Sequence, residues 1–193
     1  INKILKDNSR SKILIVCPAA VIYNCEKEIK KFLKNIRYTI FKSELRDLYF
    51  LNPEGIQVLI ASYQGITTSQ KNFETLDFDI GIFDEAQNLK NYRAKSYKAL
   101  DKFNINHRIL LSGTPIENNI EELWSLVNFT SKTHFESLKS FKNKFTQEVI
   151  LDSDSDEVLQ LRADISHIIL RRNKADVLQE LPEKILLERR SEM

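Results

Sequence analysis

Asp84 and Glu85 stand side by side directly after a short apolar run, Phe78-Asp79-Ile80-Gly81-Ile82-Phe83. A run of that composition reads as a buried strand of a parallel sheet, and it sets two carboxylates at its tip. A carboxylate just past a buried strand can hold Mg²⁺, directly or through water, while its neighbour orients the water that attacks a γ-phosphate. Acids also suit the start of a helix, so the pair alone leaves both readings open. A second apolar run, His107-Arg108-Ile109-Leu110-Leu111, leads into Ser112, Gly113, Thr114 and Pro115. Small hydroxyls beside a glycine can hydrogen-bond phosphate or a catalytic carboxylate because the backbone comes close. Taken alone, Ser-Gly-Thr-Pro is also a good turn.

Apolar runs bounded by turn residues predict strands at 12–17, 37–41, 57–62, 79–83 and 107–111. Helical spacing appears between them, in Val21, Ile22, Cys25, Ile29, Phe32 and Leu33, again over 94–103, and in Ile120, Leu123, Trp124 and Val127. Alternation of this kind predicts an α/β fold with a largely parallel sheet flanked by helices. Ligands of such sheets sit at the carboxyl ends of the strands, where Asp84, Glu85, Ser112 and Thr114 fall. Strand signals stop after Asn128, and 135–180 reads as helices, with Phe135, Leu138, Phe141 and Phe145 on one face and Leu159, Leu161, Ile165, Ile168 and Ile169 on others. Trp124 lies among Leu123, Leu126 and Val127, which favours packing over base stacking, and Tyr63 reads as core.

The chain has 193 residues, 42% of them apolar, enough for one domain with a sizeable core. Its 29 basic and 27 acidic groups give a net charge of +2, so contact with nucleic acid has to come from local placement. Cys17 and Cys25 fall on a predicted strand and a predicted helix, which argues for a reducing compartment and against a four-ligand metal site. His107, His134 and His167 are scattered and need only ordinary surface or core roles. The sequence has no apolar run of 18 residues and no signal-like start. Asp152-Ser153-Asp154-Ser155-Asp156-Glu157 reads as an exposed acidic loop that also offers a helix cap.

Four stretches carry a resemblance. FDIGIFDEAQNLKN and HRILLSGTPIENNIEELWSLVNF resemble motifs II and III of the Swi/Snf-type ATPases, DNA translocases of the superfamily-two helicase fold. ILIVCPAAVIYNCEKEIKKF, residues 13–32, is similar to motif Ia, and IILRRNKADVLQELPEKI, 168–185, to the segment leading from the first motor lobe towards the second. The resemblance implies a partial RecA-like lobe over 1–130, a helical insertion over 131–181, and from 182 to 193 the start of a linker to a second lobe. It implies Asp84 as the Mg²⁺-associated acid, acting through water, and Glu85 as the base that positions the attacking water. Gln87, where many members carry His, implies a coupling contact without proton transfer. Ser112, Gly113 and Thr114 would link the acids to lobe movement, with turn formation as the alternative for the two hydroxyl residues. Arg171 and Arg172 match a pair of arginines that brace the lobes, the alternative being a solvated helix end. Pro18, Ala19, Ser62, Lys90 and Asn91 map onto positions that contact DNA, where backbone contacts suit a translocase that tolerates any sequence.

A phosphate-cradling loop needs Gly-x4-Gly-Lys-Ser/Thr, and Gly55, Gly65, Gly81 and Gly113 contain no such spacing. The expectation is therefore a piece of a longer protein, inactive and monomeric by itself, that does not hold ATP and Mg²⁺ tightly. The parent would hydrolyse ATP with Mg²⁺ while moving along double-stranded DNA, acting on a DNA-bound protein complex and on no membrane. Its expected place is the cytoplasm at a bacterial nucleoid, to which the Lys-, Ile- and Asn-rich composition points, or the nucleus of a eukaryote. The alternative is a non-catalytic RecA-like module that binds DNA or protein. An RNA helicase is disfavoured because those proteins usually carry a short Ser-Ala-Thr in place of LSGTPIENN.

Overall fold

The structure, a computed structural model, describes residues 1–8, 10–42, 55–113, 120–132, 134, 135, 137–145, 156–170 and 172. Five strands form one sheet, β1 (Ile13–Cys17), β2 (Tyr38–Ile40), β3 (Val58–Ser62), β4 (Asp77–Phe83) and β5 (Asn104–Leu110), in the order β2-β3-β1-β4-β5. All four pairings are parallel. The central strand β1, Ile-Leu-Ile-Val-Cys, is buried throughout, which is why its sequence shows no alternation.

Two helical layers cover the sheet. Helices α1 (Asn2–Asp7) and α2 (Ile22–Phe32) bury Leu5 and Ile29 against Ile13, Ile15, Cys17, Val58 and Ile60. Short helices α3 (Tyr63–Thr68) and α4 (Gln70–Phe73), with α5 (Lys95–Asp101) and α6 (Ile120–Thr130), pack on the opposite face against Leu14, Val16, Leu59, Ala61 and Phe83. Helix α6 also joins a second core. Its Leu126 and Phe129 face the sheet, while Leu123, Trp124 and Val127 meet Phe141 and Phe145 from the segment of α7 (Leu138–Lys144) and Leu161 and Ile165 of α8 (Asp156–Ile165). Trp124 lies edge-on to Tyr92 with ring centroids 5.5 Å apart, a packing role.

The predicted strands and the three helices given by spacing all form, with bounds that differ by up to three residues. Strand β5 begins at Asn104, ahead of the predicted start, because Asn104, Asn106 and His107 are polar residues of an edge strand with solvent on one side. The helical reading of 135–180 holds over α7 and α8 but not beyond Ile165, where Ser166 turns its hydroxyl back to the Ala163 carbonyl at 2.9 Å and the helix stops. Ile168 and Ile169 consequently lie off any helix, and most of 171–180 falls outside the described residues.

Gly81 is required by contact distances. A Cβ there would stand 2.9 Å from Cε2 and 3.0 Å from Cζ of Phe83, and 3.1 Å from Ile105. Gly81→Ala is expected to destabilise the protein by about 1–3 kcal/mol through overpacking. Urea denaturation checks this, and a midpoint equal to wild type contradicts it.

Candidate nucleotide-hydrolysis site

Register places the site. Cys17 pairs with Ser62, Val16 with Phe83, and Phe83 with Leu110, so the residues leaving β3, β1, β4 and β5 share one edge of the sheet. Helix α2 after β1 lies on one face and α5 after β4 on the other, so the chain parts in opposite directions between these neighbours. A crevice at such a reversal is where open α/β sheets bind ligands, and Asp84 stands beside it.

The backbone here is held atom by atom. Asp84 N–H donates to Val16 O at 2.8 Å, and Glu85 N–H donates to Asp84 Oδ1 at 3.0 Å. Glu85 has φ 50 and ψ 53, the left-handed region that a β-carbon disfavours. That turn sends its carboxylate to Gln87, whose Nε2 donates to Glu85 Oε2 at 2.8 Å. Ser112 Oγ in turn donates to Gln87 Oε1 at 3.3 Å. Ala86 N–H bonds to Leu111 O at 2.8 Å and fixes the two strand ends to each other. Glu85 precedes a 3₁₀ helix, Ala86–Leu89, yet its side chain makes no capping bond, so the helix-start reading of the acids is not what this geometry serves.

The chain thus brings Asp84, Glu85, Gln87 and Ser112 together, with exposed Gly113 next in line. Thr114 and Arg171 lie outside the described residues, and Arg172 is exposed. Among the expected DNA contacts, Pro18 caps the 3₁₀ turn Ala19–Val21 and Ala19 is exposed on it, both at the site's edge of the sheet. Ser62 lies at the same edge, where its hydroxyl caps α3 by accepting from Gly65 N–H at 2.9 Å. Lys90 is turned to α6, with Nζ 3.2 Å from Glu122 and a side chain only 12% exposed. Asn91 is exposed and accepts from Arg93 N–H at 2.9 Å.

Two thiols stand near the acids without joining them chemically. Burial, with Cys25 and Asp84 adding to it, pushes the Cys17 thiol up to about 12, and burial likewise raises Cys25. Both remain protonated at neutral pH, which makes them poor nucleophiles and poor metal ligands. Tyr63 is a residue whose site contact the sequence does not announce: its hydroxyl donates to the Asp84 carbonyl at 2.9 Å. Its position directly after a strand end was the available signal.

Comparison with known proteins now decides the family. Residues 2–193 match the SNF2-related domain. The chain belongs to the SNF2-related domain family. Within that family it is 30% identical over 190 residues to the chromatin-remodeling ATPase INO80 of Emericella nidulans, an alignment covering 89% of this chain and 12% of the relative. The INO80 of Pyricularia oryzae is 30% identical over 193 residues, covering 91% of this chain and 10% of that protein. Among solved structures, the Sulfolobus solfataricus SWI2/SNF2 ATPase core in complex with dsDNA is similar with a TM-score of 0.80 at 31% identity, over 93% of this chain and 38% of that one. The Sulfolobus solfataricus SWI2/SNF2 ATPase core domain gives a TM-score of 0.76 at 31% identity, over 93% of this chain and 37% of that one. This SNF2-related chain therefore has the RecA-like, all-parallel sheet of those ATPase cores, and it spans about one tenth of the length of the INO80 relatives.

Proposed function

We propose that the whole protein hydrolyses ATP with Mg²⁺ and uses the cycle to move along double-stranded DNA, remodelling or displacing what is bound there. The observation that carries this is the hydrogen-bonded row Ser112–Gln87–Glu85 beside Asp84 at the ends of β4 and β5. Glu85, fixed by Gln87, is placed to accept the proton of a water that attacks a γ-phosphate. Gln87 also touches Ser112 of the next strand, so a shift of β5 alters the orientation of the base.

The donor set fits Mg²⁺. Asp84 uses Oδ1 for Glu85 N–H, and its other oxygen faces no hydrogen-bond donor among the described residues. That set suits an ion which takes one or two carboxylates and keeps waters and substrate phosphates. When bound with the nucleotide, Mg²⁺ supplies neutralisation of phosphate charge.

A phosphate loop is absent from these 193 residues, so turnover is assigned to the longer protein. Strand β5 ends the described sheet, with Ile109 and Leu111 44% and 49% exposed, along a cleft of about 410 Å³ that Leu123, Val127 and Ile169 also line. A further parallel strand laid there would deliver its following loop beside Ser112 and Glu85, a place suited to phosphate-binding N–H groups. Under the same reading 1–130 is the motor-lobe core, 131–181 its helical insertion and 182–193 the lead to a second lobe.

The similarity to the Sulfolobus solfataricus core in complex with dsDNA supports duplex DNA as the track, with Pro18, Ala19 and Ser62 on the sheet edge of the site and Asn91 beyond it; Lys90 contributes only by leaving Glu122. Action at the cell's DNA follows; the fungal and archaeal relatives named above lend a bacterial source no support. ATP turnover by the intact protein, measured with linear duplex DNA, with RNA and with neither, tests the reading. Stimulation by duplex DNA is expected, and stimulation by RNA alone, or none, overturns it.

A further inference from the structure

Glu85 holds a backbone conformation that costs about 1–2 kcal/mol for a residue with a β-carbon. Something must stabilise it, since its carboxylate would otherwise swing away from Gln87 and Ser112. The peptide joining Asp84 to Glu85 is gripped at both polar atoms. Its N–H is bound by the Asp84 carboxylate at 3.0 Å, and its carbonyl accepts from the Tyr63 hydroxyl at 2.9 Å.

Tyr63 is well built for that task. It is the first residue of α3, and its ring is buried, sharing a core with Val16, Ala61 and Phe83. A rigid ring anchored in the core delivers a hydroxyl with little freedom. Ser62, immediately before it, caps α3 through Gly65, where a Cβ would stand 3.0 Å from Ser62 Oγ, so the β3–α3 turn is fixed tightly.

We propose that Tyr63 is a positioning residue for the acid pair, its phenol holding the Asp84–Glu85 peptide in the turn that aims the Glu85 carboxylate along the Gln87–Ser112 row. The inference rests on the reading of this site as the hydrolytic centre. It adds that Ser62, at the exposed edge, lies one residue from a group bonded to the acids. A displacement of the β3–α3 turn by a ligand on that edge reaches the hydrolytic base through one hydroxyl.

Tyr63→Phe in the intact protein removes the hydroxyl and keeps the ring. DNA-stimulated kcat is expected to fall about 3- to 10-fold, the worth of one hydrogen bond. KM for ATP and affinity for duplex DNA should stay within about twofold, since neither contacts the phenol. Amide hydrogen exchange should quicken at Glu85, Ala86 and Gln87 while β3 exchanges as in wild type. An unchanged kcat overturns the inference, as does a loss carried entirely by KM. Wild-type protein with no ATP turnover overturns the hydrolytic reading instead, and the exchange measurement then decides the clamp: equal exchange at Glu85 in both proteins overturns it.

Discussion

Arg108→Met is expected to lower the unfolding free energy by about 3 kcal/mol, the cost of stripping a buried, charged hydrogen-bonding group from its partners. The Arg108 side chain is 6% exposed and lies on β5. Its Nη1 meets Asp101 Oδ1 at 3.3 Å and Phe129 O at 3.2 Å. Its Nη2 meets the carbonyls of Leu100, Asp101 and Phe103 at 3.5, 3.2 and 3.2 Å, and the guanidinium stands 4.5 Å from the centre of the Phe129 ring. The Leu100, Asp101 and Phe103 carbonyls lie at and just past the end of α5, so the cation closes that helix and ties it to the edge strand and to α6. Burial lowers the Arg108 pKa and Asp101 offsets this only in part; a guanidinium stays charged all the same. Asp101 is a third exposed and is also held by Lys132 at 3.0 Å, so most of the loss comes from the carbonyls. Methionine fills a similar volume and offers no donor. Urea denaturation measures the effect, and a change under about 1 kcal/mol would mean that water replaces the guanidinium at little cost.

Glu85→Gln is expected to reduce kcat for ATP hydrolysis by the intact protein about 10²- to 10⁴-fold, the range of a lost general base. The amide keeps the length of the side chain and its bond from Gln87, so the change removes basicity and leaves the arrangement standing. ATP affinity should be unchanged, because the nucleotide is held by phosphate-binding groups elsewhere. A loss expressed as a raised KM with kcat unchanged would place Glu85 in binding, not in chemistry.

The acid pair was legible because β4 is largely buried and therefore spells a nearly continuous apolar run, which ends abruptly where the carboxylates begin. The alternation of strand and helix patterns predicted the parallel sheet, and the family resemblance rested on the motifs at the strand ends. What the sequence hid depends on partners far along the chain. Lys90 maps by resemblance onto a DNA-contacting position, but in the fold Glu122 on α6 pairs with it. Arg108 looks like a polar residue in a strand, and only the fold brings the ends of α5 and α6 to it. Tyr63 has one signature for two roles, since an aromatic residue anchored in the core can still aim its hydroxyl at a neighbouring strand. The edge strand β5 began earlier than expected because one-sided solvent exposure admits the polar residues that mark loops elsewhere.

The most direct test is a crystal structure of the intact protein with Mg²⁺ and a non-hydrolysable ATP analogue, read for one distance. The account predicts the Glu85 carboxylate at about 2.6–3.2 Å from a water in line with the γ-phosphate, with Gln87 and Ser112 still in their row. A γ-phosphate bound away from the ends of β4 and β5, or a Glu85 carboxylate turned from it, would contradict the account.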